Sequence, residues 1–449
     1  MKIHTMLIHL LYAFLFILFI ANHSYAGIYN HMEVLVGEKA AGMGGAFTAV
    51  ADDTTATFYN PAGIVQIPFN SMSASANAVT FKTREGKFFI EDDEKLTSFD
   101  FIPNFWGVIV NTNIGKFGLS IVVPESDNFE LHEKYSNVSL LGYTWSTARE
   151  DITIETDTYL IGPSYAVSIL PGLSAGISLY LLYNTFADNI YSYWDTDYID
   201  ASDGLSYSYL FENSIGRNGT GTGITGKAGV LYKVNNRLQV SGVFRPLSMI
   251  AEKVKVRQVA YESNISENDV VIVFQRGDVE ETVSFTRELP YSLTTGITYF
   301  PSDRITVAVD ISYYGAAEYF EKTKILDVEF NPKDDQRKVI FEEVINGNIG
   351  LEYMLTSSVP LRAGIYTDLS AAPEVKDNNM VQATHLDKYG MSLSSGYMKS
   401  NSTVIAGIKY GMGSGYGTAP DYSTSKLTFK KEPYTQTDVV LFISGTYMF

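Results

Sequence analysis

From Ser71 to the last residue the chain alternates apolar and polar positions in runs bounded by Gly, Pro, Asn or Asp. Period two marks a strand with one face on hydrocarbon or core and the other on polar groups. Such runs fall near 71–81, 101–112, 117–124, 152–168, 174–190, 222–234, 238–256, 282–300, 304–320, 340–356, 361–371, 387–400, 402–414 and 436–449, which predicts about fourteen strands. Short connections at 113–116, 170–173, 235–236, 301–303, 357–360 and near 400–401 follow every even-numbered strand. The other connections are long, and 124–150, 190–221 and 257–281 read as polar, Tyr/Ser/Asp-rich loops. An even number of strands with turns alternating in length is the pattern of an antiparallel sheet closed on itself.

The two faces are separable by parity. In 174–184, Ala175, Ile177, Leu179, Leu181 and Tyr183 take the apolar face, and Ser174, Gly176, Ser178, Tyr180 and Asn184 the inner one. In 346–355, Ile349, Leu351, Tyr353 and Leu355 point outward, leaving Asn346, Asn348 and Glu352 inside. The same parity puts four cations in the lumen: Lys227, Arg245, Arg362 and Lys409. A carboxylate entering the lumen needs a cation or donor, and these four are its candidate partners. Pairing with lumenal acids such as Glu352 and Asp310 is their other reading, because buried charges are usually paired.

Composition and the two ends say in what medium the barrel sits. Charged residues are 18% of the chain and the mean hydropathy is zero, which suits strands shared between lipid and water. After the first residues no apolar run is long enough for a helical span. The 31 Tyr and 26 Phe suit the aromatic girdles of a barrel wall. Lys2 is the only charged residue of the first 26; an apolar run over 10–20 and Ser24-Tyr25-Ala26 follow, so 1–26 reads as a signal peptide cleaved before Gly27. The last strand ends Tyr447-Met448-Phe449 and resembles the closing strand and assembly signal of bacterial outer-membrane barrels. Counting strands back from Phe449 places both mature termini and all short turns in the periplasm. The chain holds 50 acidic against 33 basic residues, a net charge of −17, which argues against nucleic acid as a partner. It has no cysteine, so disulfides, thiolate metal sites and a lipidated N-terminal cysteine are excluded.

Between the leader and the first strand, residues 27–70 are built differently. Gly42, Gly44 and Gly45 allow close backbone approach and positive φ. Asp52 and Asp53 cap or turn the chain, and Pro61 holds Asn60 extended. The segment therefore reads as a compact plug with a fixed kink. Phe47, Phe58 and Tyr59 either line a pocket above it or pack it against the wall.

A leader, Gly42-Met-Gly-Gly-Ala-Phe47, Ala51-Asp52-Asp53 and Asn60-Pro61-Ala62 ahead of the first strand together resemble the FadL/TodX family of outer-membrane transporters for long-chain fatty acids and other hydrophobic molecules. The resemblance is specific over 37–65, and the strand count and Phe449 extend it along the mature chain. It implies a fourteen-stranded barrel (71–449) whose N-terminal hatch (27–70) plugs the periplasmic side and carries the Asn-Pro-Ala motif. It further implies a ligand pocket against the hatch and a sideways exit through the wall near a kink in the third strand, here 117–124. Gly118 and Pro124 are the expected places for irregular pairing.

No other chemistry emerges. Gly42-x-Gly44 lacks the βαβ setting of a dinucleotide loop. His31, His132 and His385 are scattered without zinc spacing, so neither a metal, a cofactor nor an enzyme is expected. The expectation is a monomeric channel for passive uptake of hydrophobic small molecules, fatty acids or aromatic hydrocarbons, with membrane lipid and the barrel-assembly machinery as its other partners. The competing class is a non-transporting barrel serving a secretion or assembly complex, or an adhesin.

Overall fold

The computed structural model describes residues 27–32, 34–88, 90, 94–140, 143–199, 205–266, 271–327, 330–378, 380–421 and 428–449. The leader expected at 1–26 lies outside them. Six staves of the barrel are unbroken strands: β1 (Ser71–Gly86), β2 (Glu94–Thr112), β3 (Gly115–Leu140), β4 (Tyr143–Leu170), β5 (Leu173–Ile199) and β6 (Ser206–Asn235). The next four come in two pieces each: β7 (Leu238–Arg245) with β8 (Ser248–Ser266), β9 (Val271–Leu289) with β10 (Ser292–Ser302), β11 (Ile305–Tyr314) with β12 (Ala317–Leu326), and β13 (Pro332–Phe341) with β14 (Val344–Thr356). β15 (Val359–Asp368), β16 (His385–Lys399), β17 (Ser402–Asp421) and β18 (Thr428–Met448) complete the circuit. Antiparallel pairing runs round the ring and closes where β18 meets β1, so the barrel has fourteen staves.

One end of the ring carries two-residue turns: Thr112 to Gly115, Leu170 to Leu173, Asn235 to Leu238, Ser302 to Ile305, Thr356 to Val359 and Lys399 to Ser402. Near that end the walls follow the parity read from sequence. Ile177, Leu179, Leu181, Ile349, Leu351 and Leu355 stand exposed on the outside, while Ser174, Ser178, Asn184, Asn346, Asn348 and Glu352 are buried inside. Aromatic pairs mark the two borders of this band, Phe117 with Tyr165 at 4.9 Å and Phe81 with Phe99 at 5.5 Å between ring centres.

At the other end the expected loops are strands. The polar stretches at 124–150, 190–221 and 257–281 continue β3 to β6, β8 and β9 as long antiparallel extensions. The reason is visible in β5. Even-numbered residues face inward throughout, but they change from Ser174, Ser178 and Asn184 below to Ile190 and Trp194 above. The outer face changes from Ile177 and Leu181 to Asn189 and Asp195. The apolar side has switched from outside to inside, as it must when water replaces lipid beyond the membrane. The upper interior is a core of its own, in which Trp145, Trp194 and Tyr209 meet at ring distances of 5.2 and 6.0 Å.

The upper half is also not one sheet. The β2–β3 ladder stops at Phe105 opposite Val122, and β3 shifts register against β4 between Val122 and Glu125. Above this, β2 pairs with β1 and β3 with β4. The β12–β13 hairpin forms a separate two-stranded sheet. Among the described residues no ladder joins β12 to β9 beside it. Three panels result: β16, β17, β18, β1 and β2; β3, β4, β5, β6, β8 and β9; and the β12–β13 hairpin.

Candidate functional site

Residues 27–70 lie inside the lower ring and bond to strands spread round its circumference. They contain two short helices, α1 (Glu38–Gly42) and α2 (Ala56–Tyr59), and a 3-10 stretch from Pro61 to Gln66. Asp310 on β11 accepts from the Phe47 and Thr48 N–H groups at 2.8 and 2.7 Å. Asn348 on β14 donates to the Gly44 carbonyl at 2.6 Å. Ser178 and Tyr180 on β5 donate to the Thr57 carbonyl at 2.6 and 2.7 Å. Gly44 has φ +63° and lies against the backbone of Gly364, an approach no side chain allows.

Asn60 is fully buried and uses its whole amide. Its Nδ2 donates to the Thr48 carbonyl at 2.8 Å and the Val230 carbonyl at 3.4 Å, and its Oδ1 accepts from the Ala62 N–H at 3.1 Å. One side chain thus ties two turns of the segment to β6. Pro61 and Ala62 lie over Gly176 on β5. Gly42 lies against Ser394 and Arg362, and Gly45, with φ +83°, against Asn348.

Charges at the lower side form a chain from segment to wall. Lys39 Nζ pairs with Asp52 at 2.7 Å and reaches Glu352 at 3.8 Å, and Arg362 Nε pairs with the same Glu352 at 2.6 Å. Asp53 accepts from the Thr55 N–H at 2.8 Å and from its hydroxyl at 2.5 Å. Burial, with Glu38 and Asp52 nearby, pushes the Asp53 carboxyl up to about 7.

The start of the described chain is not at the turn end expected for a periplasmic terminus. Gly27 to Met32 climb the lumen to the level of the strand breaks, where His31 and Met32 N–H groups both donate to Asp368 and Ala371 N–H donates to the Tyr29 carbonyl. The compact part of the segment is what lies near the turns.

Above the segment is a cavity of about 180 Å³. Phe58, Tyr59, Leu160, Leu182, Val243 and Leu289 give it apolar walls, and Pro124 and Glu125 on β3 border it. Lys227 and Arg245 open into it. Lys227 Nζ donates to the Phe58 carbonyl at 2.6 Å and sits 3.7 Å from the centre of the Phe58 ring. Arg245 Nη2 donates to the Pro290 carbonyl at 3.1 Å, and its Nε is buried without a partner among the described residues. Neither cation has a carboxylate partner among the described residues. His31 stacks on Tyr314 at 4.0 Å beside Arg245, with its Nε2 likewise unpartnered. Burial and the Arg245 charge pull the His31 imidazole down to about 3, so it is neutral near pH 7.

The candidate residues thus divide. Phe58, Tyr59, Lys227 and Arg245 come together at the cavity. Phe47 does not reach it: the ring is fully buried and packs edge-on to Tyr59 at 5.5 Å. Arg362 is committed to Glu352, and Lys409 is buried over the Tyr366 ring at 5.9 Å, away from the cavity. Asp310, proposed as a cation partner, instead accepts from backbone. His31, Tyr314 and Arg287 also line the cavity. His31 had no signal, because no strand parity applies to the segment. Arg287 lay in a run whose inward face could have been read by the same parity as Arg245.

The family model described as Outer membrane protein transport protein (OMPP1/FadL/TodX) matches residues 17–442. No curated protein sequence matches the chain. Among solved structures, the toluene transporter TodX of Pseudomonas putida superposes with a TM-score of 0.56 at 15% identity, covering 94% of this chain and 99% of that one. A FadL homologue of Pseudomonas aeruginosa gives 0.54 at 13% identity, over 94% of this chain and all of that one. The toluene transporter TbuX of Ralstonia pickettii gives 0.54 at 14%, over 94% and 99%. At such identity the superpositions speak for the fold, and the sequence match carries membership. The closed fourteen-stave barrel with its lipid-adapted outer band belongs to the outer membrane, it is no enzyme, and the chain is a member of the OMPP1/FadL/TodX family of outer-membrane transport proteins.

Proposed function

We propose that this channel takes up amphiphiles with an anionic head, of the long-chain fatty acid kind, passively across the outer membrane. The observation that carries the reading is the pair Lys227 and Arg245, two cations that line the cavity, bond to backbone carbonyls and form no ion pair with a carboxylate among the described residues. Cations withdrawn from water this way are costly unless an anion joins them. A carboxylate head supplies that anion, and its tail meets Phe58, Leu160, Leu182 and Leu289. Keeping the tail covered matters, since each methylene left in water costs about 0.8 kcal/mol.

In this reading residues 27–70 act as the hatch and close the straight path to the periplasm, and Asn60 fixes the hatch position. The exit is lateral, where the β2–β3 ladder ends. Its support is that Pro124 and Glu125, just past the last rung at Val122, border the cavity itself. From inside, Asn104 on β2 donates to the Leu35 carbonyl at 3.4 Å, so the hatch covers the gap.

The test is binding to the purified, gently solubilised protein. Labelled oleate should bind, and Lys227→Met with Arg245→Met should weaken it about tenfold or more, as expected for lost hydrogen bonds to a charged group, with toluene unaffected. Unchanged oleate affinity in the double variant would sink the reading. The aromatic rings of Phe58, Tyr59 and Tyr180 at the cavity favour aromatic hydrocarbons as the second reading, which wins if toluene is retained and oleate is not.

A further inference from the structure

The cavity has a neighbour toward the outer end. A small chamber of about 20 Å³ is bounded by Phe186, Glu252, Phe285, Arg287, Tyr319 and Glu321. Arg287 lines both spaces and is the residue their linings share. It pairs with Glu252 at 3.2 Å. The chamber lies against the inner side of the junction between β9 and β12.

That junction is built unevenly. At its outer end Leu326 and Phe330 are buried in the upper core and touch Gly277, and the Leu326 N–H donates to Gln258 at 2.8 Å. Lys324 and Glu281 pair there at 2.6 Å. At its base both strands have just broken, β9 before Pro290 and β12 after Gly315. Neither has a ladder to the other among the described residues, and at the base the ring of Phe285 meets that of Tyr319 at 6.3 Å across the junction, Tyr319 being backed within its own hairpin by Phe341 at 6.4 Å and Phe341 by Tyr29 of the N-terminal segment at 5.0 Å. Parting the rings breaks no strand ladder, and the interrupted strands supply the pivots.

We propose that ligand enters through the base of the β9–β12 junction, and that Arg287 passes the anionic head from the small chamber to Lys227 and Arg245. The outer end of the hairpin stays anchored in the core while its base splays. Glu321, held by Arg217 at 2.9 Å and Arg337 at 3.1 Å, keeps the neighbouring arginines neutralised in the closed form. The ladder of cations thus runs from paired at the entrance to unpaired at the cavity, which draws an anion inward. This route rests on the reading of the cavity as the ligand site.

The chain has no cysteine, so paired cysteines report cleanly. Phe285→Cys with Tyr319→Cys is joined by a short thiol crosslinker, and Glu281→Cys with Lys324→Cys serves as the comparison at the outer end. Exchange of labelled oleate is followed in each protein before and after crosslinking, with heat-modifiable migration confirming a folded barrel. Crosslinking the base should slow exchange at least about tenfold, as for a blocked gate, and leave equilibrium affinity unchanged. Crosslinking the outer end should slow it little. Arg287→Met should slow exchange several-fold and Arg287→Lys should restore it. Oleate that binds and exchanges equally fast with the base locked overturns the entrance and leaves the cavity reading standing. Oleate that binds none of the uncrosslinked proteins overturns the cavity reading, and the entrance with it.

Discussion

The lower ring and the upper panels are made from the same strands, yet they obey opposite rules. In the ring the ladder is continuous, the outside is apolar and the inside polar. In the panels the sheet is parted, the inside is apolar and the outside polar. Lipid leaves no solvent to satisfy a free strand edge, so closure is obligatory there and optional above. The same absence of water makes the ring interior the only place for polar groups, and they hold residues 27–70. The lesson is that parity along a strand is set by geometry, while which parity is apolar is set by the medium.

The comparison breaks hardest on the side chains at its two extremes. Trp194→Ala removes a fully buried ring from the upper core and should cost about 3–5 kcal/mol there. Limited proteolysis should cut near 190–215 while the ring keeps its heat-modifiable migration. Loss of the ring as well would mean that the halves fold as one unit. Leu179→Arg puts a charge on the outer band and should cost about 2–4 kcal/mol in lipid vesicles, whereas Tyr193→Arg, outward on the same strand but above the band, should be near neutral. Equal costs for the two would refute the change of medium along β5.

A smaller effect is expected at the parted edge between β2 and β3. There Asp127 on β3 is held by Lys82 and Arg84 on β1, each at 2.5 Å, past the stretch of β2 that has no ladder to β3. Asp127→Asn should loosen this clasp and speed release of bound oleate a few-fold, with β1–β18 closure intact. Release at the original rate would show that the clasp plays no part in the opening.

The smallest effect is on pH, and it has opposite signs at the two ends of the N-terminal segment. Asp53 has a raised carboxyl, so docking is favoured while it is protonated and weakens as pH rises from about 4 to about 7. His31 has a lowered imidazole, so its end is favoured above about 6.5 and weakens as pH falls from there toward 3. Hydrogen exchange between pH 5 and 7.5 should therefore show amides near 53–57 less protected at the higher pH and those near 29–32 more protected. Asp53→Asn should flatten the first trend alone. A trend of one sign at both ends would contradict the two shifts.

Fourteen staves, the outer band and the inward cations were legible because lipid enforces strict alternation, as in Ile177, Leu179 and Leu181. The upper extensions were not, because Tyr191 to Tyr198 reads as polar when apolar positions are sought on the outer face. The strand breaks left only weak marks in Pro246, Pro290 and Gly315. At the cavity, Lys227 and Arg245 followed from parity, but whether each was paired depended on groups brought from the β9–β10 break, β11 and the N-terminal segment. Phe47 and Tyr59 look equivalent in sequence, and only the folded segment buries the first in its own core and leaves the second, on α2, facing the cavity.

The docking bonds of residues 27–70 also dictate an order of assembly. His31 and Met32 wait for Asp368, which lies 337 and 336 residues further along the chain, and Phe47 waits for Asp310, 263 residues on. This early-made part of the chain is therefore among the last to find its place, and the slow search that such distant contacts impose falls on the segment itself. Until β15 arrives, the His31 and Met32 amides lack this acceptor, while Phe47 is already served by β11. A chain cut before Asp368 should thus release an N-terminal segment open to protease even where its early strands have already paired.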